Sequence, residues 1–223
     1  GEPIAGLLVE PIQGVSGVWG PFPEFLNELR KLADSYGCLL IVDEIWSGLG
    51  RSGKKFSFQY SDITPDLIVI GKGLSASLPL SAVIAREDLL KQWNAGAHTS
   101  TFQGNPLACA AATATLKEIE ECGLIDHVTN VIEPCFFKLA LSLKGNKNIG
   151  EIRFVGAQCA ITMENSEIAS DIQRLAMEKA HLLTYGGGLS GECVMLLPPI
   201  NISEELLLDS LAKLTKIIQD RFL

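Results

Sequence analysis

Short apolar runs alternate with helix-spaced stripes along the first half of the chain, a rhythm that predicts parallel strands interleaved with helices. Gly6-Leu7-Leu8-Val9-Glu10-Pro11 reads as a buried strand. A helix follows, with Pro23 in its first turn, an apolar stripe at Phe22, Phe25, Leu29, Leu32 and Tyr36, and Gly37 as its stop. Residues 39–44 (LLIVDE) form a second strand, apolar without alternation, as a strand covered on both faces should be. Residues 67–72 (LIVIGK) form a third, and Leu80 to Ala85 a fourth after a Gly/Ser-rich turn. Asn105-Pro106 then caps a helix with apolar positions at Leu107, Ala110, Ala111, Ala114 and Leu116, ending near Gly123.

A second long helix is expected over Asp126 to Leu143, and beyond it the rhythm changes. Strands are expected at Glu151 to Val155, Gln158 to Met163 and Cys193 to Leu197, with helices from Ser166 to His181 and from Ser203 to the end. The last helix carries the stripe Leu207, Leu211, Leu214, Ile218 and Phe222. The pattern reads as a large α/β domain over residues 1–125 and a smaller C-terminal α+β domain over 126–223. The change falls inside the helices of residues 116–146.

Composition narrows the function. The formal charge of −8 offers no basic surface for a phosphate backbone, which argues against nucleic acid. No Lys/Arg run suggests an anionic membrane. The most weakly charged stretch, Gln92 to Leu116, is punctuated by His98, Gln103, Asn105 and Pro106, so it does not read as a span. A soluble, cytoplasmic protein is expected. The six cysteines (Cys38, Cys109, Cys122, Cys135, Cys159, Cys193) form no CxxC pair and read as buried thiols of a reducing compartment. His98, His127 and His181 show no ligand spacing either, so no metal is expected. The chain opens at Gly1, without a methionine or a charged-then-apolar leader, and reads as a piece of a longer protein.

Two motifs mislead. Gly48-Leu49-Gly50-Arg51-Ser52-Gly53 matches G-x-G-x-x-G, but Lys54 to Tyr60 is a poor helix start and Asp66 comes too early for a ribose-binding acid. Residues 48–55 also miss a Walker A loop by one residue, Lys55 standing where a Ser or Thr should hold magnesium. The supposed Walker B strand would then precede the loop on the same strand, and that geometry fails.

Asp43 and Lys72 each end an apolar strand, and the ligand crevice of an open α/β sheet lies outside such ends. Such a pair could form a plain salt bridge. The wording around them decides otherwise. Residues 9–14 (VEPIQG), 41–53 (IVDEIWSGLGRSG), 65–83 (PDLIVIGKGLSASLPLSAV) and 98–112 (HTSTFQGNPLACAAA) resemble, in order and spacing, the class III pyridoxal-phosphate aminotransferases. That family includes ornithine, acetylornithine, 4-aminobutyrate and diaminobutyrate enzymes. The likeness continues more loosely to residues 195–199 (MLLPP).

The resemblance implies the fold type I architecture: part of the large domain, with a mostly parallel sheet, plus the small α+β domain. It implies pyridoxal 5'-phosphate as cofactor, an amino donor and a 2-oxo acid as substrates, and a homodimer with shared active sites. Lys72 would be the Schiff-base lysine and later a proton carrier. Asp43 would keep the pyridine nitrogen protonated. Ile45 matches an aliphatic residue packed on one ring face, although a plain core isoleucine reads equally well. Thr101 matches a threonine that reaches the cofactor phosphate of the partner subunit, with an ordinary turn residue as the alternative.

Three positions depart from the family pattern. Trp46 stands where many members carry a glutamine, Val15 replaces a glutamate, and Met195 replaces the arginine that pairs with it. With both charges absent, neither is left buried alone. The phosphate-cupping loop and the stacking aromatic of the family's N-terminal part are not visible ahead of Gly6, so an incomplete cofactor cup is expected. A racemase, aminomutase or decarboxylase of the same family remains open, as does an inactive truncated fragment serving as an interaction module.

Overall fold

The first three apolar runs become adjacent parallel strands, β1 (Gly6–Val9), β2 (Leu39–Asp43) and β3 (Leu67–Ile70). The computed structural model describes residues 4–221. These residues divide into two compact units. One holds the described residues up to Ile12 with Pro21–Gly50 and Lys54–Gly123; the other holds Gln13–Gly20, Arg51–Gly53 and the residues from Leu124 onward.

In the first unit, helix α1 (Pro23–Tyr36) joins β1 to β2 and ends at Gly37, whose φ of 63° is the left-handed turn that glycine adopts without strain. The helix lies where the sequence places it, but its inward face is different. Leu26 and Ala33 are buried, and Leu29 packs beside Ala33, Cys38 and Leu40. Phe22, Phe25, Leu32 and Tyr36 of the expected stripe are exposed. Both series have helical spacing, so periodicity alone could not choose between them.

Strand β2 likewise departs from the expectation of cover on both faces. Leu40 and Val42 are buried, while Leu39 and Ile41 are only partly so. The fourth strand, β4 (Ala82–Ala85), pairs with β3 antiparallel, giving the order β1-β2-β3-β4. Its connection, residues 71–81, contains only a 3-10 turn at Lys72–Ser75, too little for the crossover that a parallel return requires.

A short helix α2 (Glu87–Leu90) follows, then α3 (Pro106–Glu121). The Asn105 side chain caps α3, accepting from the amides of Leu107 at 2.9 Å and Ala108 at 3.3 Å. In this alanine-rich helix Ala108 and Ala112 point inward, whereas Leu107 and Leu116 from the expected stripe are exposed.

The second unit begins with α4 (Leu124–His127), a π-helical turn (Val128–Ile132) and α5 (Glu133–Leu143), where one long helix was expected. Pro134 has no amide to donate and its ring crowds the preceding turn, which accounts for the wider turn ahead of it. Strands β5 (Ile149–Val155) and β6 (Gln158–Met163) are followed by helix α6 (Ser166–Ala180). Strands β7 (Tyr185–Gly187) and β8 (Cys193–Leu196) complete an antiparallel sheet of order β5-β6-β8-β7. The sequence reading did not anticipate β7.

Helix α7 (Glu204–Arg221) buries Leu207, Leu211, Leu214 and Ile218, four positions of its expected stripe; Phe222, the fifth, lies outside the described residues. These leucines join Phe136, Ile161 and Ile172 in one continuous core. Segments 13–20 and 51–53 are tied to this unit by hydrogen bonds. Arg153 Nε donates to Gly17 O at 2.6 Å, Gly188 N to Val15 O at 2.9 Å, and Arg51 Nη1 to Ala157 O at 3.1 Å and Pro198 O at 2.5 Å.

Candidate functional site

Because β1, β2 and β3 run parallel in adjacent positions, the residues leaving their carboxyl ends emerge along one edge of the sheet. Those residues are Glu10, Asp43 and Lys72. Asp43 is half-buried, and its Oδ1 accepts the amide hydrogen of Ile45 at 2.9 Å, which pins the carboxylate at the strand end. Most of Lys72 is open to solvent, but its amine end is partly shielded: Nζ lies 4.1 Å from the centroid of the Trp46 ring. Burial pushes the Lys72 amine below the usual lysine range, against the upward pull of the Asp43 and Glu10 carboxylates.

The Lys72 backbone is also unusual, with φ at 42°. A non-glycine residue in this region is strained and persists only where its surroundings over-determine it. Here a small cluster supplies that support. Ile70 and Leu74, on either side of Lys72, pack with Leu49 and Ala112. Ile45 reaches the same place, since a Cβ placed on Gly71 would lie 3.7 Å from Ile45 Cγ2.

A buried carboxylate organises the loop that carries Ile45 and Trp46. Glu44 Oε2 accepts from the hydroxyls of Ser47 at 2.9 Å and Ser57 at 2.7 Å, and Oε1 accepts from the Phe58 amide at 2.8 Å. Burial raises the Glu44 pKa despite these hydrogen bonds. A side chain at position 48 would meet Glu44 O at 2.7 Å, so the turn closes only on glycine.

The structure therefore brings Asp43, Ile45 and Lys72 to one edge and adds three residues to them. Trp46 appears in the sequence only as a departure, whereas Glu10 and Glu44 carried no mark of their own. Glu10 could have been found by the rule that located Asp43, as a polar residue just past an apolar strand. Thr101 lies in an exposed turn (residues 101–104) ahead of α3, and among the described residues no hydrogen bond joins it to Asp43, Ile45 or Lys72.

In the second unit, Val15 and Met195 are close neighbours. A Cβ built on Gly187 would lie 2.6 Å from Val15 O and 2.8 Å from Met195 Cγ, and Met195 is fully buried. Four of the cysteines are buried as expected, but Cys109 and Cys122 are exposed at the two ends of α3; an alanine-rich helix with few inward positions leaves them outside. Among the described residues, no cluster of three or more His, Cys, Asp or Glu could hold a metal ion, and no helix is long and apolar enough to cross a membrane.

Comparison with known proteins follows the same lines. The family model described as "Aminotransferase class-III" matches residues 1–218. Over 94% of its length the chain is 37% identical to an acetylornithine aminotransferase of Methanopyrus kandleri, covering 52% of that protein. It is 32% identical to a leucine/methionine racemase of Thermococcus litoralis, with 97% of this chain and 50% of that protein covered. Among solved structures it is similar to the ornithine aminotransferase of Toxoplasma gondii, at a TM-score of 0.88 and 33% identity, with 96% of this chain and 50% of that chain covered. That structure is described as revealing partial occupancy of PLP (pyridoxal phosphate) at the active site. The chain spans about half the length of the curated relatives it matches.

Proposed function

The chain belongs to the class III aminotransferases, and we propose that it is the part of such an enzyme that carries the cofactor lysine, Lys72. The reaction is transfer of an amino group from an amino acid or ω-amine to a 2-oxo acid, with pyridoxal 5'-phosphate as cofactor. The observation that carries this reading is the strained, partly desolvated Lys72 at the strand ends, facing Asp43 and Glu10.

The residues suit the cofactor chemically. Shielding favours the neutral amine that a Schiff base requires, and the Asp43 carboxylate is held ready to accept a hydrogen bond from a protonated ring nitrogen. Ile45 supplies an apolar surface between them. Bound pyridoxal phosphate supplies an electron sink for the carbon that bears the amino group. The Lys72 amine would be placed to take up and return the proton at the carbon that bears the amino group. In this reading Thr101 serves the phosphate site of the partner subunit in a homodimer, residues 1–125 are part of the large cofactor-binding domain, residues 126–223 are the small domain, and the compartment is the cytoplasm.

The test is to incubate the protein with pyridoxal phosphate, reduce with borohydride and map the modified lysine by mass spectrometry. Label concentrated at Lys72 is expected. Label spread over the surface lysines of a folded protein, in this chain and in a longer one, would end the reading.

A racemase of the same family is the second reading, favoured by the apolar Val15/Met195 pair and by the racemase relative. A half-reaction separates the two: transfer aminates the cofactor and releases an oxo acid, while racemisation returns the amino acid with its stereocentre inverted.

A further inference from the structure

We propose that Trp46 is a positioning residue for Lys72, its indole face holding the lysine ammonium at the sheet edge until the amine condenses with an aldehyde. The proposal rests on the reading of Lys72 as the aldehyde-binding lysine, and it goes beyond that reading by assigning a role to the indole.

Three observations carry it. The Lys72 Nζ stands 4.1 Å from the Trp46 ring centroid, well inside the distance at which an aromatic face attracts a cation. The loop that carries the ring is itself held, because Trp46 lies between Glu44 and Ser47, and the Glu44–Ser47–Ser57 hydrogen bonds tie that loop to Phe58. The Lys72 side chain is thereby fixed at both ends, by the left-handed backbone at its root and the indole at its tip. A lysine stem is flexible and loses much rotamer freedom when ordered, so a contact at the tip decides where the amine spends its time.

The step balances simply. The ammonium gives one proton to solvent, and its nitrogen adds to the aldehyde carbon. A carbon–nitrogen double bond then replaces the carbon–oxygen one, and the oxygen leaves as water. The charge facing the ring changes during that sequence, so the attraction is strongest before condensation and the indole lets the amine go as it reacts. The other charged groups facing the amine are Asp43, from the end of β2, and Glu10, from the end of β1. Both favour the ammonium, but neither presents a flat face to orient it.

The experiment uses the chain as it stands. Its lysines are dimethylated with 13C-formaldehyde, and the Lys72 resonance is assigned by a Lys72→Arg variant. In a parallel sample, unmethylated protein is exposed to pyridoxal phosphate and cyanoborohydride, and the label at Lys72 is compared with that at surface lysines.

An upfield ring-current shift of the Lys72 signal is expected, lost in Trp46→Leu and partly kept in Trp46→Phe. The Lys72 share of the label should rise about fivefold in Trp46→Leu, because loss of one exposed cation–π contact frees that much more neutral amine, and return at least half-way in Trp46→Phe. An unshifted Lys72 signal in the unmutated chain, assigned with a folded Lys72→Arg variant, overturns the proposal whatever the Trp46 variants do. Equal labelling in Trp46→Leu, or no return in Trp46→Phe, also overturns it. If Lys72 labels no faster than surface lysines, in this chain and in a longer one, while its signal is shifted, the Lys72 reading itself fails and takes the proposal with it.

Discussion

In the second unit, strands β6 and β8 turn nearly every side chain into a closed interior: Cys159, Ala160, Ile161, Cys193, Val194 and Met195 are fully buried. In the first unit Leu40 and Val42 are buried as well, but other apolar strand positions stay open, with Leu8 68%, Val83 43% and Ile84 44% exposed. The second unit packs helices α5, α6 and α7 around one continuous core, while among the described residues the first holds small clusters such as Ala33, Cys38 and Leu40 beside α1 and Leu49, Ile70, Leu74 and Ala112 beside Lys72. Polar clamps fill part of that gap. Asp66 Oδ2 accepts from the Leu40 amide at 2.8 Å and from Arg30 Nη1 at 2.7 Å, and Oδ1 accepts from Arg86 at 3.2 Å. Glu44 does similar service for the loop beside Asp43. One unit is held chiefly by hydrophobic burial and the other leans on hydrogen-bonded carboxylates, and the candidate chemistry sits on the second kind. Functional segments are drawn from the less stable end of a structure because they must admit ligands and move.

The contrast can be broken by substitution. The largest effect is expected for Phe136→Ala, which empties a fully buried ring site in the second unit and should cost it about 3–5 kcal/mol. Urea unfolding read by amide exchange would show the loss confined to the second unit, residues 13–20, 51–53 and 124–221, and a loss below about 1 kcal/mol would mean that the core is not what holds this unit.

Next comes Asp66→Ala, which strands the Leu40 amide and leaves the half-buried Arg30 with Asp34 as its remaining carboxylate, at about 1–3 kcal/mol in the first unit. The same carboxylate gives that unit an acid dependence. Burial alone would raise its pKa, but the hydrogen bond from Arg30, with those from Leu40 and the charges of Arg30 and Arg86, brings it below the usual carboxylate range. Asp66 therefore stabilises the fold fully above the ordinary carboxylate pKa, and that contribution fades as pH falls through the lowered folded value. Protection of the first unit's amides, taken relative to intrinsic exchange at each pH, should fall on acidification, and Asp66→Ala should flatten that profile. An unchanged profile would remove Asp66 from the account.

The smallest effect is expected for Phe25→Lys, within about 0.5 kcal/mol, because the side chain is 53% exposed on α1. A loss several times larger would show that something covers this face in solution and would sharpen the contrast into a question of assembly.

These differences also govern what could be read from the residues. The α7 stripe is legible because Glu205, Asp209, Lys213, Lys216 and Asp220 mark its other faces, so hydrophobic spacing has one solution. Helix α1 offers two apolar series and α3 carries a run of alanines on several faces, so their bounds are legible from Pro23, Gly37 and Asn105 while their inward faces are not. The antiparallel turn of β4 depends on what residues 71–81 fail to build, and β7 is three residues with two glycines. At the site, Asp43 and Lys72 are legible as polar ends of apolar strands. Glu44 is not, because its partners Ser57 and Phe58 lie 13 and 14 residues away and nothing local announces them. The contact between Lys72 and Trp46 depends on tertiary placement in the same way.

The hydrogen bond between Arg153 and Gly17 spans 136 residues of chain, and it ties an early segment to the later unit. On a ribosome adding roughly 5–20 residues per second, Gly17 would wait roughly 7–27 s for its partner to be made. During that interval residues 13–20 must stay available rather than settle against whatever has already emerged. Synthesis in the order of the sequence thus completes the described residues of the first unit by Gly123, while residues 13–20 of the second still wait for residues made later. A graft that moved residues 124–221 alone into another protein would leave Arg153 without the Gly17 carbonyl, and Gly188 without its bond to Val15.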